Sequence, residues 1–174
     1  MRRVLVAGIS GAGKTTLARQ LAGRLGLPRH ELDALHHGPG WVKRPSFEED
    51  VTAFADDPAW VCEDQYQRLL GTLLWERADT VVWLDLPRRV VMRRVLWRTA
   101  SRMVLRTELY NGNREQPRAL LDPGHPVRWA WSQHAARRAH TAALAAAHPT
   151  VRVVRLHTPR EVAAWLARLG AVSG

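Results

Sequence analysis

One octapeptide constrains the fold of this chain more than any other stretch. Gly8-Ile9-Ser10-Gly11-Ala12-Gly13-Lys14-Thr15 reads G-x-x-x-x-G-K-T with no mismatch. The apolar run Val4-Leu5-Val6-Ala7 precedes it and reads as a buried parallel strand. Leu17, Leu21 and Leu25 follow it on one helical face. Strand, glycine loop and helix form the context in which such a loop grips phosphate. Gly8, Gly11 and Gly13 let the backbone turn tightly, so that N–H groups along the loop, those of Ser10, Ala12 and Thr16 included, converge as an anion nest. The helix starting near Lys14 adds its positive end. Lys14 is placed to reach the β- and γ-phosphates of ATP, and the Thr15 hydroxyl to bind Mg²⁺. The chain holds 24 arginines and only two lysines, Lys14 and Lys43, so a lysine where a slim ammonium is needed is unlike the rest of its composition. The alternative, a glycine-rich turn that binds nothing, leaves the full match and its flanks unexplained.

At 174 residues the chain reads as a single domain, 1–174, with 46% apolar residues to build a core. A lone cysteine, Cys62, excludes an intramolecular disulfide framework and fits a reducing, cytoplasmic setting. Met1-Arg2-Arg3 resembles the start of a signal peptide, but the apolar run after it ends at the glycine loop. No stretch reaches the roughly 20 apolar residues that span a bilayer, so no membrane partner is expected. The net charge of +10 suits either an Arg-biased soluble surface or an anionic partner: nucleotide, nucleic acid or lipid.

The remaining elements follow from periodicity and punctuation. Gly26-Leu27-Pro28 stops the first helix, with Gly26 as C-cap. His30-Glu31-Leu32-Asp33 reads as a second strand ending in a carboxylate. Ser46-Phe47-Glu48-Glu49 is a capping box opening a helix to about Ala55. Trp60-Val61-Cys62-Glu63 is a third strand, and Leu69 to Ala78 a helix. Thr80 to Asp85 is the clearest buried strand; a long helix runs from Arg88 to Leu105 and another from about Val127 to Ala147. Val151 to Leu156 is a last strand. Thr158-Pro159-Arg160-Glu161 is a second capping box opening a final helix. Trp129, Trp131 and Trp165 read as core residues of their helices. Five short strands alternating with helices predict an α/β fold with a parallel sheet covered on both faces. Ligands then bind at the carboxyl ends of the strands, where the glycine loop, Asp33, Glu63, Asp85 and the loop after Leu156, with Thr158, all fall.

From Leu86 to Thr107 there are seven arginines and no acid, and Arg94, Arg98, Arg102 and Arg106 recur at i, i+4. Like charges at this spacing cost an isolated helix about 0.2–0.5 kcal/mol a pair. The stripe suits anionic groups lying against it, or a solvated face. Beside a phosphate loop, arginines stabilise the transferring phosphoryl group.

Asp85-Leu86-Pro87, with Arg94 and Arg98 nine and thirteen residues after the aspartate, resembles the adenylate-kinase pattern. That resemblance implies a three-layer P-loop NTPase fold with a five-stranded parallel sheet and a helical arginine-rich lid at about 99–126. It places Arg94 on the adenine and Arg98 on the phosphates of ATP. The whole chain also resembles small bacterial P-loop kinases known as topology modulation or FlaR-like proteins, through Leu32-Asp33-Ala34-Leu35, Pro39-Gly40-Trp41, Trp60 to Tyr66 and Asn111 to Glu115. Their Asp-Gly-Asn-Tyr reads Glu63-Asp64-Gln65-Tyr66 here, so the acceptor pocket is expected to differ.

The resemblance implies that Asp33 orients or deprotonates an acceptor hydroxyl; the competing role is a helix or loop cap. It gives Glu63 an Mg²⁺-bound water, against a surface ion pair worth about 0–1 kcal/mol. Asp85 is expected in the metal shell or supporting the loop. His36, Trp41 and Tyr66 are candidates for the acceptor, or packing residues of a loop. Arg114 is a lid candidate, and Arg102 joins Lys14, Asp33 and Arg98 as a catalytic candidate. The expected activity is ATP- and Mg²⁺-dependent phosphotransfer to a small acceptor by a monomer or homodimer. The competing readings are a nucleotide-switched nucleic-acid-binding or regulatory protein, which net charge favours and no motif supports, and a degenerate kinase that only binds ATP.

Overall fold

A computed structural model describes residues 1–38, 40, 42–105 and 126–170, with backbone alone at 98–100, 102–105, 126–130 and 170. Five strands form one parallel sheet: β1 (Arg3–Gly8), β2 (Arg29–His30), β3 (Trp60–Glu63), β4 (Thr80–Leu84) and β5 (Arg152–Leu156), in the order β2-β3-β1-β4-β5. β1 lies at the centre, Val4 opposite Val61 on one side and Thr80 on the other. A central strand is buried on both faces, which is why Val4 to Ala7 are apolar without alternation.

Helices cover both faces, and each face has its own core. On one, Leu17 and Leu21 of α1 (Lys14–Leu25) pack with Val91 and Val95 of α6 (Arg88–Leu105) and Leu166 of α8 (Pro159–Gly170). On the other, Val51 and Phe54 of α3 (Phe47–Ala55) and Trp75 of α5 (Leu73–Arg77) pack with Leu144 of α7 (Pro126–Ala147). α1 ends at Gly26, whose φ of 63° is the left-handed cap the sequence implies. At α8 Thr158 caps as the second capping box implies, its Oγ1 accepting from the Glu161 N–H at 3.1 Å, while Glu161 Oε2 reaches one residue beyond the cap and accepts from the His157 N–H at 2.8 Å.

Four local readings change. The second strand is Arg29–His30, because the chain turns at Glu31 into α2 (Leu32–His36), which puts Leu32 in the core and Asp33 in a helical first turn. The helix expected over 69–78 is two, α4 (Gln67–Leu70) and α5, separated at Gly71, whose φ 56°, ψ −128° only glycine adopts readily. Ser46 precedes α3 but does not cap it; its hydroxyl bonds the Asp50 carboxylate at 3.0 Å. Trp131 is 58% exposed and lies under the Arg88 guanidinium, so it is no core residue, while Trp165 does pack on the core. The Trp129 side chain lies outside the described residues.

Candidate active site

β1 ends at Gly8 in the middle of the sheet's carboxyl edge, and the chain must reverse there to start α1. It does so with φ of 146° at Gly8, 84° at Gly11 and 100° at Gly13, all in the region that favours glycine. The loop is wedged against α6: a Cβ on Gly11 would stand 2.2 Å from Val95 Cγ2. Arg94, one turn of stripe away from Arg98, donates from Nη1 to the Ala12 carbonyl oxygen at 2.7 Å. It is therefore bound to the loop backbone itself. α1 has no acid in its first turn, so its N–H groups face the loop with their positive end uncompensated.

Lys14, the first residue of α1, is 8% exposed. Burial lowers its pKa, and Arg137 adds to this, while Glu63, Asp64 and Asp33 pull it back up. Thr15 Oγ1 donates to Glu63 Oε2 at 3.0 Å. Burial raises the Glu63 pKa, offset in part by Lys14 and by this hydroxyl. A hydroxyl and a buried carboxylate side by side at a phosphate loop suit Mg²⁺, which takes few protein oxygens and completes its shell with phosphates and water. Asp85, the third metal candidate, does not join them: its carboxylate is taken by Arg138 Nε at 2.9 Å, Arg155 Nη2 at 2.7 Å and His157 Nδ1 at 3.3 Å. Arg155 also lies over the Trp83 ring, 4.2 Å from its centre.

The acceptor candidates assemble from three elements. The Tyr66 hydroxyl donates to Asp33 Oδ1 at 2.7 Å and lies 3.1 Å from His37 Nε2. A phenol has one proton, so with that proton given to Asp33 the His37 nitrogen is the donor in the second bond. His36 stacks on Tyr66 at 4.3 Å and meets Phe47 edge-on; burial lowers its pKa. Among the described residues Tyr66 alone of the non-glycines has positive φ, 55°, a strained conformation of the sort that gathers at functional sites. His37 and Lys43 pair in an antiparallel bridge. Thr158 Oγ1 is engaged at the α8 cap. Arg98 and Arg102 lie on α6, and their side chains are outside the described residues, as are Trp41, Arg106, Arg114 and the lid segment from 106 onward.

Sequence reasoning missed Arg137, Arg138 and Arg155 as site residues. Arg137 reaches from α7 to Asp64 Oδ2 at 3.0 Å and Gln67 Oε1 at 2.5 Å. With Gly8, Ile9, Leu86, Arg138 and Thr141 it lines a shallow open cleft between α7 and the glycine loop. The adjacent pair Arg137-Arg138 in an alanine-rich helix was a visible signal, but the side of the sheet it faces was not.

No family model and no curated protein matches the chain. Solved structures do. A shikimate kinase from Acinetobacter baumannii, solved in complex with shikimate, superposes with a TM-score of 0.53 at 15% identity, covering 99% of this chain and 93% of that one. A shikimate kinase from Bacteroides thetaiotaomicron gives a TM-score of 0.54 at 15% identity, covering 99% and 98%. The likeness establishes a three-layer α/β fold of the P-loop kinase type, as the motif and strand pattern imply. Among the described residues no helix is long and apolar enough to cross a membrane.

Proposed function

We propose that the protein is an ATP-dependent phosphotransferase that moves the γ-phosphate to a hydroxyl of a small acceptor. The observation that carries this is the Thr15–Glu63 pair beneath the glycine loop, two residues 48 positions apart brought to 3.0 Å. A strand-to-helix turn needs neither group. The loop N–H groups and Lys14 would hold the polyphosphate, and Thr15 and Glu63 would hold Mg²⁺, whose role when bound is to neutralise charge on the phosphate oxygens. Asp33 would accept the proton of the attacking hydroxyl, with Tyr66 and His37 fixing its carboxylate. Arg98 and Arg102, one and two turns beyond Arg94 on α6, would supply cations from a lid at about 99–126, and Arg114 would close over the acceptor. Arg94 would keep the loop in shape next to the adenine site.

The finer assignment, an adenylate-kinase-like enzyme of the topology modulation type in the cytoplasm, rests on the sequence resemblance. The fold shared with two shikimate kinases supports phosphotransfer at the coarser level. The test is ADP release in the presence of Mg²⁺. Lys14→Ala should abolish turnover while circular dichroism and melting remain those of a folded protein. Normal turnover in folded Lys14→Ala would refute the proposal.

A further inference from the structure

Asp33, Tyr66, Gln67, Asp64 and Arg137 form one continuous wall on the acceptor side of Lys14. Tyr66 binds Asp33, and the next residue, Gln67, gives its amide nitrogen to both Asp64 oxygens at 2.7 and 2.9 Å. Its amide oxygen takes Arg137 Nη1 at 2.5 Å and lies 2.9 Å from His140 Nε2. Arg137 Nη2 completes the circuit on Asp64 Oδ2 at 3.0 Å and the Asp64 carbonyl oxygen at 3.2 Å. Both terminal nitrogens of Arg137 are thus engaged, and the Asp64 side chain is only 2% exposed.

A partly buried guanidinium fork such as that of Arg137 is well suited to take a carboxylate or phosphate from an acceptor. Here a carboxylate of the chain itself already fills it. The charges acting on Lys14 are Glu63, Asp64 and Asp33 against Arg137. In the kinase reading Lys14 and Glu63 serve the polyphosphate and its metal. What remains beside the acceptor among the described residues is a neutralised Asp64–Arg137 pair and the negative Asp33. Of the other described cations nearby, Arg29 pairs with Glu31, Arg44 with Asp50, and Lys43 is exposed. The rest of the wall is aromatic: His36, Tyr66 and Phe47.

We infer that the acceptor is an uncharged hydroxyl compound, such as a sugar or nucleoside, and that Asp64 excludes anionic acceptors by occupying Arg137. This rests on the phosphotransferase reading and names the substrate class of the same site. It also gives a function to the replacement of glycine by Asp64, the departure noted from the resembling family.

The experiment compares acceptors with and without an anionic group, glucose with glucuronate and adenosine with its monophosphate, in an ADP-release assay on the full chain with ATP and Mg²⁺. The wild type should favour the uncharged member of a pair by about tenfold or more in kcat/KM. Asp64→Asn frees Arg137 and should raise kcat/KM for the anionic member by about tenfold, and Asp64→Asn with Arg137→Gln should lose that gain. A wild type that prefers the anionic member overturns the inference, as does a folded Asp64→Asn protein with no gain. If Asp64→Asn does not fold, the wild-type preference decides alone. Calorimetry with ATP and Mg²⁺ separates the two levels. No ATP binding removes the phosphotransferase reading itself; ATP binding without turnover on either uncharged acceptor removes only the substrate class.

Discussion

Gly11→Ala tests whether the glycine loop is held in shape by α6 and by backbone conformation together. The new Cβ would lie 2.2 Å from Val95 Cγ2 and 3.3 Å from the Val91 carbonyl oxygen. Carbon atoms in contact need about 3.5 Å, so α6 or the loop must yield by on the order of 1.3 Å. Overpacking of this kind costs about 1–3 kcal/mol. A side chain at φ 84° adds about 1–2 kcal/mol, for a total near 2–5 kcal/mol. Val95→Ala removes the obstructing methyl and by itself costs about 1–3 kcal/mol in lost burial and cavity. In the double variant the clash is gone and only the conformational part remains. It should therefore be more stable than the sum of the single effects by about 1–3 kcal/mol. ATP affinity should stay low in it, because the turn is still strained. Urea unfolding followed by tryptophan fluorescence measures the cycle, since Trp60, Trp75 and Trp83 are all buried. Additivity within about 0.5 kcal/mol would mean that the loop does not lean on Val95, and the account of its shape would fail.

Three further outcomes follow from the structure. Burial raises the Glu63 pKa above the ordinary 4.5, so turnover should fall as pH drops through that raised value; Glu63→Gln should lose this acid limb and need more Mg²⁺, which a pH profile of kcat/KM detects. Tyr66→Phe removes the bonds to Asp33 and His37 and should lower kcat/KM for the acceptor by about tenfold, with ATP affinity by calorimetry unchanged. Asp79 accepts the N–H groups of Arg2 and Arg3 at 2.7 and 2.9 Å. Burial alone would raise its pKa, but these bonds outweigh it, and the pKa lies below 3.8. Its stabilisation is thus present above pH 3.8 and lost as pH falls through the lower folded value. Asp79→Ala should cost about 1–2 kcal/mol at neutral pH, discounted for its partial exposure, and the cost should shrink in acid.

Much of the fold is readable because its signals are local. Three glycines and a lysine at fixed spacing name the loop, and the unalternating Val4 to Ala7 names a central strand. α6 runs from Arg88 to Leu105, the range its sequence implies. Edge elements are less readable: β2 has one neighbour and two residues, so nothing in its pattern separates it from the turn into α2. Gly71 was the visible sign that 67–77 would break in two. Asp33, His36 and Tyr66 were each legible as strand-end or loop groups; that they stack and bond to one another was not.

The sequence alone determined that a glycine loop of the phosphate-binding pattern stands at the head of a parallel sheet, since glycine conformations and hydrophobic runs are properties of neighbouring residues. Tertiary structure decided which charges meet. α7 crosses the sheet edge more than seventy residues after Asp64 and brings Arg137 onto it, and β5 brings Arg155 to Asp85. Whether a carboxylate serves a metal, a substrate or an arginine depends on the groups within about 4 Å of it, where Coulomb attraction in a buried site is strong. Those groups come from distant parts of the chain, and only packing selects them.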